Sequence, residues 1–256
     1  MGVIVKFLAL IAGSLISNFA IASSSCEKVV YLTFDTGNMS VAQHVAEVLK
    51  RQNVKATFFV ANEKTNRGDF SLDDSWKLFW LDLIKEGHVF GSHTLNHTYW
   101  QKDIKSDAVQ VKSQFGPFAG KERKLSAVQM CHEIQDSDRR FRELTGKNLS
   151  MIWRAPGGKT STRLIAMGQS CGYKHIAWAK AGFLGDELPS STYPNELLLK
   201  QSLDNIQNGD ITMAHLGIWS RKDPWALAVL EPLIVGLKQK GFCFGTLDTL
   251  KKGDPS

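Results

Sequence analysis

"YLTFDTGNMS", residues 31–40, sets one acid, Asp35, at the end of an apolar, β-branched and aromatic run and just before a glycine turn. With Val29 and Val30 the run reads as a strand covered on both faces, the kind that parallel sheets use beneath their helices. Outward from it, "SVAQHVAEVLKRQ" (40–52) carries apolar residues at helical spacing behind a serine cap, and "KATFFVAN" (55–62) is a second buried strand. The three segments make a βαβ unit.

The unit recurs along the chain. "WKLFWLDLIKEG" (76–87) and "SAVQMCHEIQDSDRRFRELTG" (126–146) are amphipathic helices closed by glycine, and strands "HVFGSHT" (88–94) and "MIWRAP" (151–156) follow them. Helices at 162–172, 195–209 and 224–241 then alternate with strands "YKHIAWA" (173–179), "DITMAHL" (210–216) and "FCFGTLDT" (242–249). About seven such units predict an α/β fold with a mostly parallel sheet, closed or nearly closed into a (β/α) barrel. No Gly-x-Gly-x-x-Gly follows the first strand, which argues against a dinucleotide site. Residues 98–123 break the rhythm as a long polar excursion, whose Tyr99, Trp100, Phe115 and Phe118 suit sugar contact or simple packing.

The first 22 residues carry one charge, Lys6, then an apolar run ending Ala20-Ile21-Ala22, the pattern of a cleaved export signal. The apolar stretch is just short of the ~20 residues that a membrane span needs, so no stable membrane insertion is expected after cleavage. Residues 23–256 then form a single catalytic domain, periplasmic or secreted. The net charge of +6 falls by one with loss of Lys6, and the basic residues form no aromatic-interleaved stripe, which excludes a nucleic-acid track. The four cysteines, Cys26, Cys131, Cys171 and Cys243, include no C-x-x-C pair. Zinc-ribbon and thioredoxin readings fail, while an oxidising compartment permits one or two disulfides among three pairings.

Reactive groups of an α/β barrel gather where strands end. Asp35, His93, Arg154 and His215 all fall at such ends. His93 and His97 in "SHTLNH" are four residues apart, so a helical turn after the strand would stack both imidazoles toward one divalent cation. The position after the first His is Thr94 rather than the Glu of an H-E-x-x-H metalloprotease, which disfavours peptide hydrolysis by that route.

The ordered motifs "TFDTG", "SHTLNH", "RAPGG" and "ITMAH" resemble the polysaccharide deacetylases of the NodB type, carbohydrate esterase family 4, across about Lys28 to Leu250. The resemblance implies a distorted barrel of about seven strands and removal of N- or O-acetyl groups from a polysaccharide such as peptidoglycan or a chitin-like polymer. It implies a divalent metal, zinc by expectation, on His93 and His97, with Asp35 as general base and His215 as general acid. Arg154 matches the residue that lines the groove and supports the base, with Pro156 and Trp178 beside the substrate.

The sequence departs from that pattern at Thr36, where the family has its metal-binding Asp. The third ligand is then Thr36 or Asp35, with Asp69, Asp73 and Asp74 as nearby acids; Thr36→Asp is expected to tighten metal binding. A second departure is Ala179-Lys180-Ala181 in place of an acidic stretch that positions the arginine, with Asp186 the nearest acid and Lys180 a positive charge by the groove. Two other readings stay open: hydrolysis of a non-sugar amide or cyclic imide, and an envelope sugar-binding protein with little turnover.

Overall fold

The computed structural model describes residues 1–3, 26–105 and 107–249. The export-signal expectation thus lies outside the described residues, apart from the first three. Among the described residues no helix is long and apolar enough to cross a membrane.

The opening run forms β1 (Lys28–Tyr31) and β2 (Thr33–Asp35), two halves of one path interrupted at Leu32. In chain order follow α1 (Ala42–Arg51), β3 (Thr57–Val60), α2 (Lys77–Lys85) and β4 (Val89–Ser92). After an excursion come α3 (Ala127–Thr145), β8 (Ile152–Trp153), α4 (Thr162–Ser170), β9 (Lys174–His175), α5 (Asn195–Asn205), β10 (Ala214–His215), α6 (Glu231–Gln239) and β11 (Phe242–Gly245). One parallel sheet runs β10-β2-β3-β4-β8-β9, and β11 pairs in parallel with β1. The backbone at 179–184 bonds to Ile211 and Met213 beside β10, which brings the ring nearly to closure. Counting β1 and β2 as one, seven parallel strands make a distorted (β/α) barrel, as the alternation of elements predicts.

Side-chain alternation sorts the core into two layers. Phe34, Phe58 and Phe90 are register partners on β2, β3 and β4, and their rings stack at 5.6 and 5.7 Å, facing the helices. The opposite phase fills the ring: Tyr31, Phe59, Ile152, Ile176, Ile211 and Leu247 form a separate buried cluster. Gly91 on β4 is required by this filling, because a Cβ there would stand 2.8 Å from the Ile152 side chain and 2.9 Å from Phe59.

The excursion at 98–123 is not a loop. It is a three-stranded antiparallel sheet of β5 (Thr98–Ile104), β6 (Ala108–Ser113) and β7 (Glu122–Leu125). Val109, Val111 and Leu125 pack beneath it with Trp153, Leu164 and Met167, so packing rather than irregular structure accounts for its length. The helix expected over 224–241 is also modified. Residues Ala226–Leu230 form a widened π turn ahead of α6, where Pro232 has no N–H to continue the regular ladder.

Two disulfides settle the open pairings: Cys26–Cys243 joins the start of β1 to β11, and Cys131–Cys171 joins α3 to the end of α4.

Candidate active site

The C-terminal ends of five neighbouring strands meet at one rim, and each delivers a polar group. Asp35 ends β2, Glu63 follows β3, His93 follows β4, Arg154 follows β8 and His215 ends β10. The turn after Asp35 needs Gly37 at φ 64°, since a Cβ there would lie 2.1 Å from the Gly217 carbonyl oxygen. That close approach ties the end of β2 to the end of β10.

Asp35 is buried, and Arg154 Nη1 donates to its Oδ1 at 2.8 Å. The same Nη1 donates to Thr33 Oγ1, while Nε and Nη2 donate to the carbonyls of Ile176 and Ala177 at 3.3 Å. The guanidinium also lies 4.1 Å from the Phe59 ring centroid. Burial alone would raise the carboxyl; Arg154, followed by His93 and His215, outweighs it and holds Asp35 below the usual carboxylate range. Arg154 has no exposed surface and is not among the residues lining the cavity; its guanidinium is spent on Asp35, Thr33 and the neighbouring carbonyls. Pro156 is buried as well, shaping the turn that presents Gly157, whereas half-buried Trp178 does line the cavity.

His93 and His97 are brought together by a turn and not by the helical turn that the spacing suggested. Thr94 and His97 take left-handed φ values of 56° and 48°, and Thr94 Oγ1 accepts from the Thr98 N–H at 2.8 Å. The rings still meet edge to face, 4.9 Å between centroids. His93 Nδ1 faces the Arg154 carbonyl oxygen at 2.9 Å, and a carbonyl only accepts, so Nδ1 carries the hydrogen. Burial lowers the pKa of this ring to about 4. It is therefore neutral, with a free lone pair on Nε2, which stands 3.5 Å from Asp35 Oδ2.

His215 is held differently. Its Nδ1 lies 3.1 and 3.2 Å from the two oxygens of Asp186, and its backbone N–H donates to Asp186 Oδ2 at 2.7 Å. Burial opposes its charge, but Asp186, then Asp35 and Glu187, push the pKa up to about 10. Asp186 thus serves His215, where the sequence offered it as a partner for Arg154. Asp35, His93, His97, Tyr99, Trp178 and His215 all face one cavity of about 80 Å³. A larger cavity, about 510 Å³, is lined by Lys180, Phe183, Leu198 and Gln201 against α5 and holds none of these groups. Lys180 accordingly belongs to that outer cavity and not to the rim.

Over residues 22–176 the chain matches the polysaccharide deacetylase family. The chain belongs to that family. Its peptidoglycan and chitooligosaccharide deacetylase relatives are hydrolases of carbon–nitrogen bonds other than peptide bonds, and that is the reaction class the family membership supports. This member is 24% identical over 225 residues, 88% of each chain, to the peptidoglycan-N-acetylglucosamine deacetylase of Bacillus cereus. Its fold matches a family 4 acetyl xylan esterase from Clostridium thermocellum in complex with a cobalt ion, with a TM-score of 0.64, 22% identity and coverage of 86% of this chain and 89% of that one. It also matches a CE4 family pseudoenzyme from Bacillus anthracis, with a TM-score of 0.61, 19% identity and coverage of 87% and 65%. One fold carries both, so the chemistry has to be read from the side chains.

The polysaccharide deacetylases generally use a divalent metal, and the rim of this member fits one. His93 offers a free Nε2, and His97 is buried with Nδ1 left without a hydrogen-bond partner. Among the described residues no three His, Cys, Asp or Glu side chains already converge as a metal cluster. Thr36 does not complete one: its hydroxyl donates to Glu63 Oε1 at 2.6 Å and accepts from the Ala61 N–H at 3.2 Å. Of the three loop acids, Asp69 is engaged with Thr65, Ser75 and Trp76 and Asp73 with the Phe70 N–H, while Asp74 is exposed at the start of the short helical turn Asp74–Trp76. Glu63 escaped the sequence reading. It lies three residues past the end of β3, and the strand-end rule that selected Asp35 and His93 selects it too.

Proposed function

We propose that the protein is an exported, metal-dependent deacetylase that removes acetyl groups from an N-acetylated envelope polysaccharide such as peptidoglycan, with zinc as its metal. The observation that carries this reading is the pairing of opposite proton-transfer tools across one cavity: an acid held ionised, Asp35, and an imidazole held charged, His215. Two groups pushed apart in this way are suited to take a proton and to give one in the same turnover.

His93 and His97 would hold a divalent cation, which when bound would polarise the acetyl carbonyl and lower the pKa of the attacking water. Asp35, kept ionised by Arg154, accepts the water proton, with Oδ2 free for the task because Oδ1 is occupied by the guanidinium. His215 gives the amine leaving group a proton from Nε2, since Nδ1 is committed to Asp186. Trp178 and Tyr99 at the cavity mouth offer flat faces for a pyranose ring. The match with the Bacillus cereus enzyme supports an amino-sugar polymer as substrate.

Acetate release from peptidoglycan and chitooligosaccharide, measured with zinc and with a chelator, tests the proposal. Zinc-dependent release that disappears in His93→Ala/His97→Ala is expected. Absence of acetate release from both polymers with zinc bound, or ring-opening hydrolysis of small cyclic imides in a parallel assay with no acetate from either polymer, refutes it.

A further inference from the structure

Glu63 is an anomaly that the assigned roles leave unexplained. It is 7% exposed, yet among the described residues no Lys or Arg lies within ion-pair distance of it. Asp35, at comparable burial, has the Arg154 guanidinium. A buried carboxylate without a cation is expensive to ionise, and proteins ordinarily pair such a group or set it on a metal. The nearby groups that act on Glu63 are His97, the Thr36 hydroxyl, His93 and the Gly37 N–H. Both of its hydrogen bonds, from Thr36 Oγ1 at 2.6 Å and Gly37 N at 2.8 Å, fall on Oε1. Oε2 takes none among the described residues.

We propose that Glu63 is the acidic ligand of the cation held by His93 and His97, standing in for the carboxylate that position 36 lacks, with Thr36 as its positioning residue. The inference rests on the metal-dependent reading and names the ligand that completes it. Thr36 and Gly37 anchor Oε1 beside the end of β2, the place from which a carboxylate at 36 would reach out. Rotation about the terminal bonds of the side chain would then carry Oε2 toward a cation held by the two imidazoles, a convergence that the described side chains do not yet show. The ligand set becomes two imidazoles and one carboxylate, a combination that suits a catalytic zinc with an open position.

The pairing also explains why residue 36 is neutral. An Asp there would put its oxygen near the present Thr36 Oγ1, 2.6 Å from Glu63 Oε1. Two ionised carboxylates do not share that space, and the hydroxyl donates where a carboxylate would repel. Thr36→Asp alone should therefore fail to tighten metal binding, in contrast to what the sequence suggests.

The test is a cycle on the full mature chain, with Zn2+ affinity read by calorimetric titration against a competing chelator. Glu63→Gln should weaken Zn2+ binding ~100-fold or more, beyond the ~10- to 100-fold typical of an outer partner. Thr36→Asp/Glu63→Gln should recover most of the loss, because it moves the acid back to β2. Unchanged affinity in Glu63→Gln while His93→Ala loses binding overturns the inference and leaves the metal-dependent reading standing; absence of Zn2+ binding in the wild type overturns both. Anomalous scattering from zinc-soaked wild-type crystals gives an independent answer that needs no variant. Zinc within ~2.2 Å of a Glu63 oxygen is expected, and zinc on both imidazoles with Glu63 more than ~4 Å away overturns the inference.

Discussion

Asp186→Asn should move the alkaline limb of the pH–rate profile. His215 is buried, which lowers its proton affinity, and is brought to about 10 by Asp186 first and by Asp35 and Glu187 after it. The amide keeps an oxygen for the His215 backbone N–H but removes the charge 3.1 Å from Nδ1. Burial then faces only the two weaker acids, and the ring returns toward its ordinary value of about 6.5 or below it. At about pH 8.5 a ring with a pKa of about 10 is ~97% protonated, whereas one with a pKa of about 6.5 is ~1% protonated, so kcat/KM should fall ~100-fold. At about pH 5.5 both rings are charged, and the two proteins should differ by only a few-fold. The sign for stability follows from the raised folded-state value: the His215 contribution is complete below about 6.5 and is lost as pH rises through about 10. Kinetics of acetate release from about pH 5 to 10, with an NMR titration of the His215 ring, measure both quantities. An NMR pKa that Asp186→Asn leaves in place would refute the electrostatic argument, and a shifted ring with an unmoved kinetic limb would remove His215 from the proton-donor role.

Two further perturbations test the frame around the site. Asp35→Asn should abolish acetate release and lower stability by ~3 kcal/mol, the lower part of the range for a broken buried pair because the amide oxygen still accepts from Arg154; urea titration checks the stability, and full activity would remove Asp35 as the base. Cys131→Ala/Cys171→Ala opens a loop with a sequence separation of 40, for which the chain-entropy account gives ~4 kcal/mol. For a chain of this size that means a Tm about 8–16 °C lower by calorimetry. Zn2+ affinity should stay unchanged, because the bridge joins α3 to α4 away from the rim.

The alternation of buried runs and amphipathic helices made the barrel legible, since a strand covered on both faces and a helix with one apolar stripe leave different periodicities. Asp35, His93, Arg154 and His215 were legible for the same reason: each follows a strand. The hairpin sheet at 98–125 was not, because its outward positions are charged and only Val109, Val111 and Leu125 mark its inner face. The turn at His93–His97 was hidden too, since left-handed Thr94 and His97 depend on contacts from α3, where the Glu133 carbonyl accepts from the Leu95 N–H at 3.3 Å. The partners of Asp186 and Glu63 lie 29 and 27 residues away in sequence, at distances that only the folded ring defines.

The neutral residue in the first motif changes meaning once the ring is assembled. Read along the chain, Thr36 is the loss of an acid, and the inference is a weakened metal site. Read across the sheet, β2 and β3 are paired with Asp35 opposite Phe59, and the loop beyond β3 returns Glu63 to the side of Thr36. Of the acids about the rim, Asp186 is paired with His215, and exposed Glu187 lines the cavity near that ring. The two beside the end of β2 differ: Asp35 is neutralised by Arg154, and buried Glu63 has the Thr36 hydroxyl and the Gly37 N–H but, among the described residues, no Lys or Arg within ion-pair distance. That division separates the two tasks. An acid already compensated by a fixed guanidinium gains less from a dication and stays available for a proton, while the uncompensated acid is the one that a dication stabilises most. On this argument Asp35 remains the base, and the third-ligand role that position 36 or Asp35 would have filled passes to Glu63.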